Sequence, residues 1–325
     1  MRRDGLDEDV EGPLFSGLAE PEGESAAATA TDSAIPLHRM ERRTLSWSRC
    51  VRALASALAI GSGVLCSLAG CRTVEGTGRS QLNLLSEQQE IQLGREAYAE
   101  VLESPATLTR GPMVDRVRRV GDALAAASSR RYPASTRGME WQFVVIEDDS
   151  PNAWALPGGK CAVNSGMLEF IESDDELAVV MGHEIAHAIA RHGGERMSQS
   201  MLASIVAEVA LGELDPLVQA AIWQAYGLGV GLPFSRSHES EADELGLFIA
   251  AEAGYDPRAA AKLWRRMAAN GDGWPEFLST HPDPERRANR LEQLTPAAEA
   301  VRQAAADRGV RPGAAAPSAS RLEAP

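Results

Sequence analysis

Basic residues and cysteines are both scarce in this sequence. Its 325 residues carry 32 Lys and Arg against 46 Asp and Glu, a formal net charge of −14. Neutralising nucleic-acid phosphates requires a basic face, and no Lys/Arg-rich stripe is present, so that class of partner is excluded. The same acid excess works against adhesion to anionic lipid by charge alone. Four Cys in a chain with room for one or two sizeable cores do not make a disulfide scaffold. Histidine is sparse as well, at six. Five of the six, His183, His187, His192, His238 and His281, nevertheless fall within 99 residues, leaving only His38 outside. Clustering of the side chain best suited to metal ligation and proton transfer directs attention there.

Residues 1–39 are acidic and rich in Ser, Ala, Gly and Pro, with few large apolar side chains, a composition expected to stay disordered. Arg42, Arg43, Arg49 and Arg52 then precede an uncharged run from Ala53 to Ala69, which ends in Leu68-Ala69-Gly70-Cys71. A basic stretch, an apolar run and small residues before a cleavage point read as a secretory signal over residues 40–70. Signal peptides begin at chain starts, so Met40 is expected to be the initiator and residues 1–39 untranslated. Leu-Ala-Gly-Cys resembles the bacterial lipobox, which implies lipid on Cys71 and a short lipidated tether over residues 71–80. Loss of residues 1–70, with seven basic and ten acidic side chains, takes the net charge from −14 to −11. The acidity therefore belongs to the folded part, and Cys161 becomes its one free thiol, read as a small buried side chain.

The mature chain reads as α+β and predominantly helical. Ser86 is an N-cap for a helix to about Glu103, and Pro112 opens a second. Trp141 to Ile146, Asn152 to Leu156 and Cys161 to Val163 read as strands of a three- or four-stranded sheet, followed by a short helix from Ser165. Asp174 is expected to cap a helix to about Arg191, which carries His183-Glu184-Ile185-Ala186-His187. A spacing of four puts both imidazoles on one helical face, one turn apart, where they can share a zinc ion, with Glu184 beside them. The apolar residues around the motif place it on a buried helix. The extended metzincin pattern would need Gly at position 190 and His at 193; Ala190 and Gly193 stand there instead.

Further on, Ser235-Arg236-Ser237-His238-Glu239-Ser240-Glu241-Ala242-Asp243 opens another helix. With the His-Glu-x-x-His run it resembles the HtpX and CaaX-prenyl-protease (Ste-type) family of gluzincin zinc metalloendopeptidases, particularly its periplasmic lipoprotein, BepA-like branch. The resemblance spans residues 81–295 and implies a zincin-like metallopeptidase domain whose small sheet has an edge strand flanking the metal-binding helix. It implies one zinc per chain held by His183, His187 and Glu239, catalysis by Glu184, and Asp243 bonded behind a ligating His. It suggests that Asn152 and the Ala153 carbonyl hold an extended peptide added to the edge strand, although Asn152 reads equally as a turn residue beside a core Trp. His281, in Leu278-Ser279-Thr280-His281-Pro282, is a candidate oxyanion donor or an occupant of the open zinc position; Arg287 is a second donor or the anchor of a carboxylate. His192 and His238 are left as surface or supporting residues.

These parts together imply endoproteolysis of unfolded or misassembled exported proteins. The site is expected in the bacterial envelope, facing the periplasm from a lipid anchor, with the outer membrane favoured over the inner; no sequence feature sets the oligomeric state. A different class, an assembly factor or chaperone-like lipoprotein with a structural zinc, stays open. Pro216 to Ser235 carries no charge but is broken by Gln, Gly and Pro, and is expected as a buried helix and loop rather than a membrane span. Residues 296–325 are expected as an Ala/Pro-rich tail.

Overall fold

The computed structural model describes residues 71–211, 234–270, 277 and 280–313, with the side chains of Cys71 and of 203–211 excepted. The leader and signal, nearly all of 216–235 and the last twelve residues lie outside the described residues.

Two short strands, β1 (Cys71–Thr73) and β2 (Ser80–Leu82), pair antiparallel and lead into α1 (Glu87–Glu103). Ser86 caps α1 in a full capping box with Gln89, as its position promised. After β3 (Thr107–Leu108) comes α2 (Pro112–Arg131), started by Pro at its first position, whose Val114, Val117, Val120 and Leu124 are fully buried. Strands β4 (Gln142–Ile146), β5 (Ala153–Leu156) and β6 (Lys160–Asn164) complete a four-stranded sheet in the order β3-β4-β6-β5. β4 and β6 run parallel, and β5 pairs antiparallel with β6 alone, so it forms an edge of the sheet. Helices α3 (Ser165–Phe170), α4 (Asp174–Ile189), α5 (His192–Leu211), α6 (Arg236–Glu252), α7 (Arg258–Ala269) and α8 (Pro284–Asp307) follow. The result is the expected α+β, predominantly helical, zincin-like fold.

Helix α4 is the centre of the core: every residue from Glu176 to Ile189 is buried. Ser173, not Asp174, is its cap, with Ser173 Oγ accepting the Glu176 N–H, because the cap residue must be extended while Asp174 is already helical. Asp174, Asp175 and Glu176 occupy the first turn, where the helix dipole favours negative charge. α4 lies against α6 at a glycine contact. A Cβ on Gly246 would come within 2.8 Å of the Gly182 carbonyl and the His183 nitrogen, so both glycines are required for the two backbones to approach. That approach brings the face of α4 bearing His183 and His187 against the face of α6 bearing Glu239 and Asp243.

Two segments differ from expectation. Residues 71–80 are not a free tether: they form the β1–β2 hairpin, with Val74 buried and Arg79 paired to Glu195 and Glu241 on helices α5 and α6. Helix α8 continues through Pro296 to Asp307, with Ala298 and Ala305 fully buried, so the tail begins later than residue 296. Small alanines packing on the core outweigh the loss of one backbone hydrogen bond at the proline. No described helix is long and apolar enough to cross a membrane.

Candidate metal centre and peptide cleft

His183, Glu184 and His187 come from consecutive turns of α4, Glu239 from the first turn of α6, and His281 from the segment before α8. One ligand atom each from His183, His187, Glu239 and His281 fall within 4.8 Å of one another, all four side chains buried. His187 Nε2 is 3.0 Å from His183 Nε2 and 3.3 Å from Glu239 Oε1; His183 Nε2 is 3.4 Å from Glu239 Oε2. His281 Nδ1 is 3.0 Å from Glu239 Oε2 and 3.3 Å from His183 Nε2.

The back of each imidazole on α4 is engaged. His183 Nδ1 donates to Asp243 Oδ1 at 3.1 Å. Arg287 Nη2, 3.0 Å from the same ring nitrogen, donates to Asp243 Oδ1 at 2.6 Å, so the carboxylate oxygen is shared by the guanidinium and the His183 N–H. His187 Nδ1 is 2.8 Å from His192 Nδ1. With their Nδ1 atoms so engaged, both rings present Nε2 lone pairs to one point, which is the donor chemistry a zinc ion requires.

The electrostatics support that arrangement. Burial pushes the Glu239 carboxyl up, but the neighbouring Arg287 and His281 outweigh it and hold Glu239 well below the usual carboxylate range. Burial holds His187 well below the ordinary histidine value, so its ring is neutral. Glu184 goes the other way. Burial raises its carboxyl to about 7, with the Glu239 charge adding to the rise and His281 and Arg287 opposing it. Among the described residues Glu184 Oε1 makes no hydrogen bond, and His281 Nε2 is 3.5 Å from it. A buried carboxyl titrating near neutrality beside convergent metal donors is placed for proton transfer.

Arg287 lies between the acids of α6 and Trp264. It is 4% exposed, donates through Nε and Nη2 to both Asp243 oxygens at 2.8 and 2.6 Å, lies 2.7 Å from Glu239 through Nη1, and stacks on Trp264 at 3.4 Å. His192 and His238 are not surface residues: both are at most 2% exposed, His192 hydrogen-bonded to Glu241 and His238 to Glu195. Cys161 is buried in the sheet, and burial raises its thiol well above the ordinary range, in keeping with an inert packing role.

The edge strand β5 lines a cleft together with Leu93 and Ala97 of α1 and with Glu184, His187, Phe234 and His281. Asn152 O accepts from Asn164 N–H, which sets the alternation: residues 152, 154 and 156 bond toward β6. The main-chain groups of Ala153 and Ala155 therefore point away from the sheet. Asn152 Oδ1 caps the Ala153 N–H at 2.9 Å, leaving the Ala153 carbonyl and both polar groups of Ala155 on the cleft side. Phe234, stacked 3.9 Å from the His187 ring, was not foreseeable from spacing because it precedes α6 with no motif of its own.

Two imidazoles from one buried helix, a glutamate from a second and a further buried glutamate in a cleft lined by a sheet edge define a zincin-like metallopeptidase site. Comparison with known proteins bears this out. The profile of Peptidase family M48 matches residues 114–295. The mitochondrial metalloendopeptidase OMA1 of Schizosaccharomyces pombe is 34% identical over 233 residues, covering 70% of this chain and 67% of that protein. Human metalloendopeptidase OMA1 is 30% identical over 244 residues, covering 70% and 46%. The beta-barrel assembly-enhancing protease of Escherichia coli is 29% identical over 264 residues, covering 76% and 53%. The chain belongs to peptidase family M48, a family of zinc metalloproteases. It spans between about a third and two thirds of the length of the curated relatives it matches.

Proposed function

We propose that this chain is an endopeptidase of exported or cell-envelope proteins, with one zinc held by His183, His187 and Glu239. The observation that carries the reading is Glu184: buried on the helix that bears His183 and His187, it has its Oε1 3.5 Å from His281 Nε2 and lines the cleft along β5. Zinc bound there supplies Lewis acidity at the scissile carbonyl and makes water acidic enough to react near neutral pH. Glu184 accepts the water proton and returns it to the leaving amine, a role suited to a carboxyl whose pKa is close to the working pH. Asp243 fixes the His183 tautomer and orientation, and Arg287 holds Asp243 and Glu239 in place. The Ala153 carbonyl and Ala155 take an extended substrate as an added strand, with Asn152 fixing the Ala153 peptide.

Main-chain capture demands an extended segment, which favours unfolded or misassembled proteins over folded ones. The signal pattern before Cys71 supports export and lipid anchorage in a bacterial envelope, facing the periplasm. The name of the Escherichia coli relative, a beta-barrel assembly-enhancing protease, accords with envelope quality control.

The test is incubation of the purified full chain with an unfolded protein beside a Glu184→Gln control. Loss of one general base is expected to lower the rate by about 10²–10⁴-fold with zinc content unchanged. Cleavage by neither form, with one zinc bound, would instead favour an assembly factor in which the metal is structural.

A further inference from the structure

The zinc-binding helix is supported from behind by a second buried polar cluster. Helix α5 opens with His192-Gly193-Gly194-Glu195 and helix α6 carries His238-Glu239-Ser240-Glu241, so each presents a His and a Glu three residues apart on one face. The pairs cross over: His192 Nε2 meets Glu241 Oε2 at 2.8 Å, and His238 Nε2 meets Glu195 Oε2 at 3.0 Å. The two rings stack with centroids 4.4 Å apart. Arg79, from the segment between β1 and β2, closes the cluster. Its Nε donates to Glu241 Oε2 at 2.7 Å, and its Nη1 and Nη2 fork onto the two Glu195 oxygens at 3.0 and 2.7 Å. Thr77, in the same turn, donates to the other Glu241 oxygen. A guanidinium thus stands between the two carboxylates, where a cation would otherwise be needed.

Hydrogen-bond direction links this cluster to the metal centre. A His187 ring that keeps its Nε2 lone pair for zinc must carry its proton on Nδ1, and it donates that proton to His192 Nδ1, 2.8 Å away. His192 must then accept on Nδ1 and carry its own proton on Nε2, which it donates to Glu241. Glu241 can accept in that one direction as long as Arg79 and Thr77 hold its carboxylate. The geometry points to Arg79 as a positioning residue: through Glu241 and His192 it fixes the tautomer and orientation of His187, tying the N-terminal hairpin to the zinc site. This rests on the zinc reading of the preceding subsection.

The experiment is a zinc competition titration against a chromogenic chelator on the full chain, for wild type, Arg79→Ala, Arg79→Lys, His192→Ala and the Arg79→Ala/His192→Ala double variant. Outer partners of metal-binding histidines typically change affinity by about 10–100-fold. Arg79→Ala should weaken zinc binding by roughly 10-fold and lower kcat with KM little changed. Arg79→Lys, which keeps the charge but loses the fork, should fall between. The double variant should bind zinc no more weakly than His192→Ala alone, because both changes break one relay. Unchanged zinc affinity in Arg79→Ala, or fully additive losses in the double variant, would overturn the relay while leaving the zinc site intact. A merely structural role would lower the thermal stability of the metal-free protein without changing zinc affinity, and that result also overturns it. If Arg79→Ala fails to fold, the comparison of Arg79→Lys with wild type decides. Failure of wild type to bind zinc would overturn the metal reading itself.

Discussion

Asp243→Ala is the most exacting perturbation of this centre, because Asp243 has no water to fall back on. Its carboxylate is 3% exposed and is shared between Arg287, which reaches both oxygens, and the Nδ1 of His183. Truncation leaves the buried guanidinium with Glu239 as its remaining carboxylate and leaves the His183 N–H without an acceptor. Removing one partner of a buried pair costs about 3–5 kcal/mol, because the uncompensated charge stays behind. For a domain of this size each 1 kcal/mol shifts Tm by roughly 2–4 °C, so the metal-free variant should melt roughly 6–20 °C below wild type. Zinc affinity should fall by about 10–100-fold as His183 loses its orienting partner. Asp243→Asn keeps an oxygen for His183 but turns an amide N–H toward Arg287, and should be intermediate in affinity while remaining destabilised. The assay is urea unfolding of metal-free protein, paired with chelator competition, in a double-mutant cycle with Arg287→Ala. A metal-free Asp243→Ala protein within about 1 kcal/mol of wild type would refute the reasoning, since 3–5 kcal/mol is what breaking a buried pair should cost.

Three other outcomes follow from the geometry. Ala155→Pro removes the one N–H that Ala155 offers to the cleft without touching the β5–β6 ladder; loss of one hydrogen bond, about 0.5–1.5 kcal/mol, should reduce kcat/KM roughly 2- to 12-fold with Tm little changed. Gly246→Ala would force α4 and α6 apart at their backbone contact, so both stability and zinc affinity should fall, read by melting and chelator competition, whereas Gly193→Ala, with open space around its Cβ position, should leave zinc affinity alone. His281→Ala should raise basal hydrolysis of an unfolded protein, because His281 Nδ1 stands among the ligand atoms at 3.0 Å from Glu239 and takes up coordination space; a lowered rate would assign it the oxyanion role, and an unchanged rate would refute both.

Much of the centre could be read from sequence because its key residues lie on one helix. His183, Glu184 and His187 need only a 3.6-residue period to converge, and the apolar residues around them announce burial. Glu239 and Asp243 came from resemblance, since nothing local in α6 says which of three acids turns toward α4. Glu241 faces a buried cluster rather than solvent. The places of His192 and Arg79 were not legible, because their partners are 49 and 162 residues away in sequence. A usable signal was present in the repeated His-x-x-Glu spacing at the starts of α5 and α6. Residues 152–156 were legible as a strand and their place at the sheet edge came from the resemblance, whereas the continuation of α8 past Pro296 depended on buried alanines that no local pattern displays.

The β1–β2 hairpin gives a lipid on Cys71 a mechanical meaning. Ten residues of free chain would be a leash of roughly 35 Å, long enough for a catalytic body to swing over its surroundings. Instead, backbone pairing begins at Cys71 itself, opposite Leu82, and the turn that follows is clamped by Arg79. An acylated Cys71 would therefore moor the body directly at the bilayer surface, with no slack to pay out. So moored, it would work over a plane rather than through a volume, nearest to what emerges at, or is stranded on, the membrane.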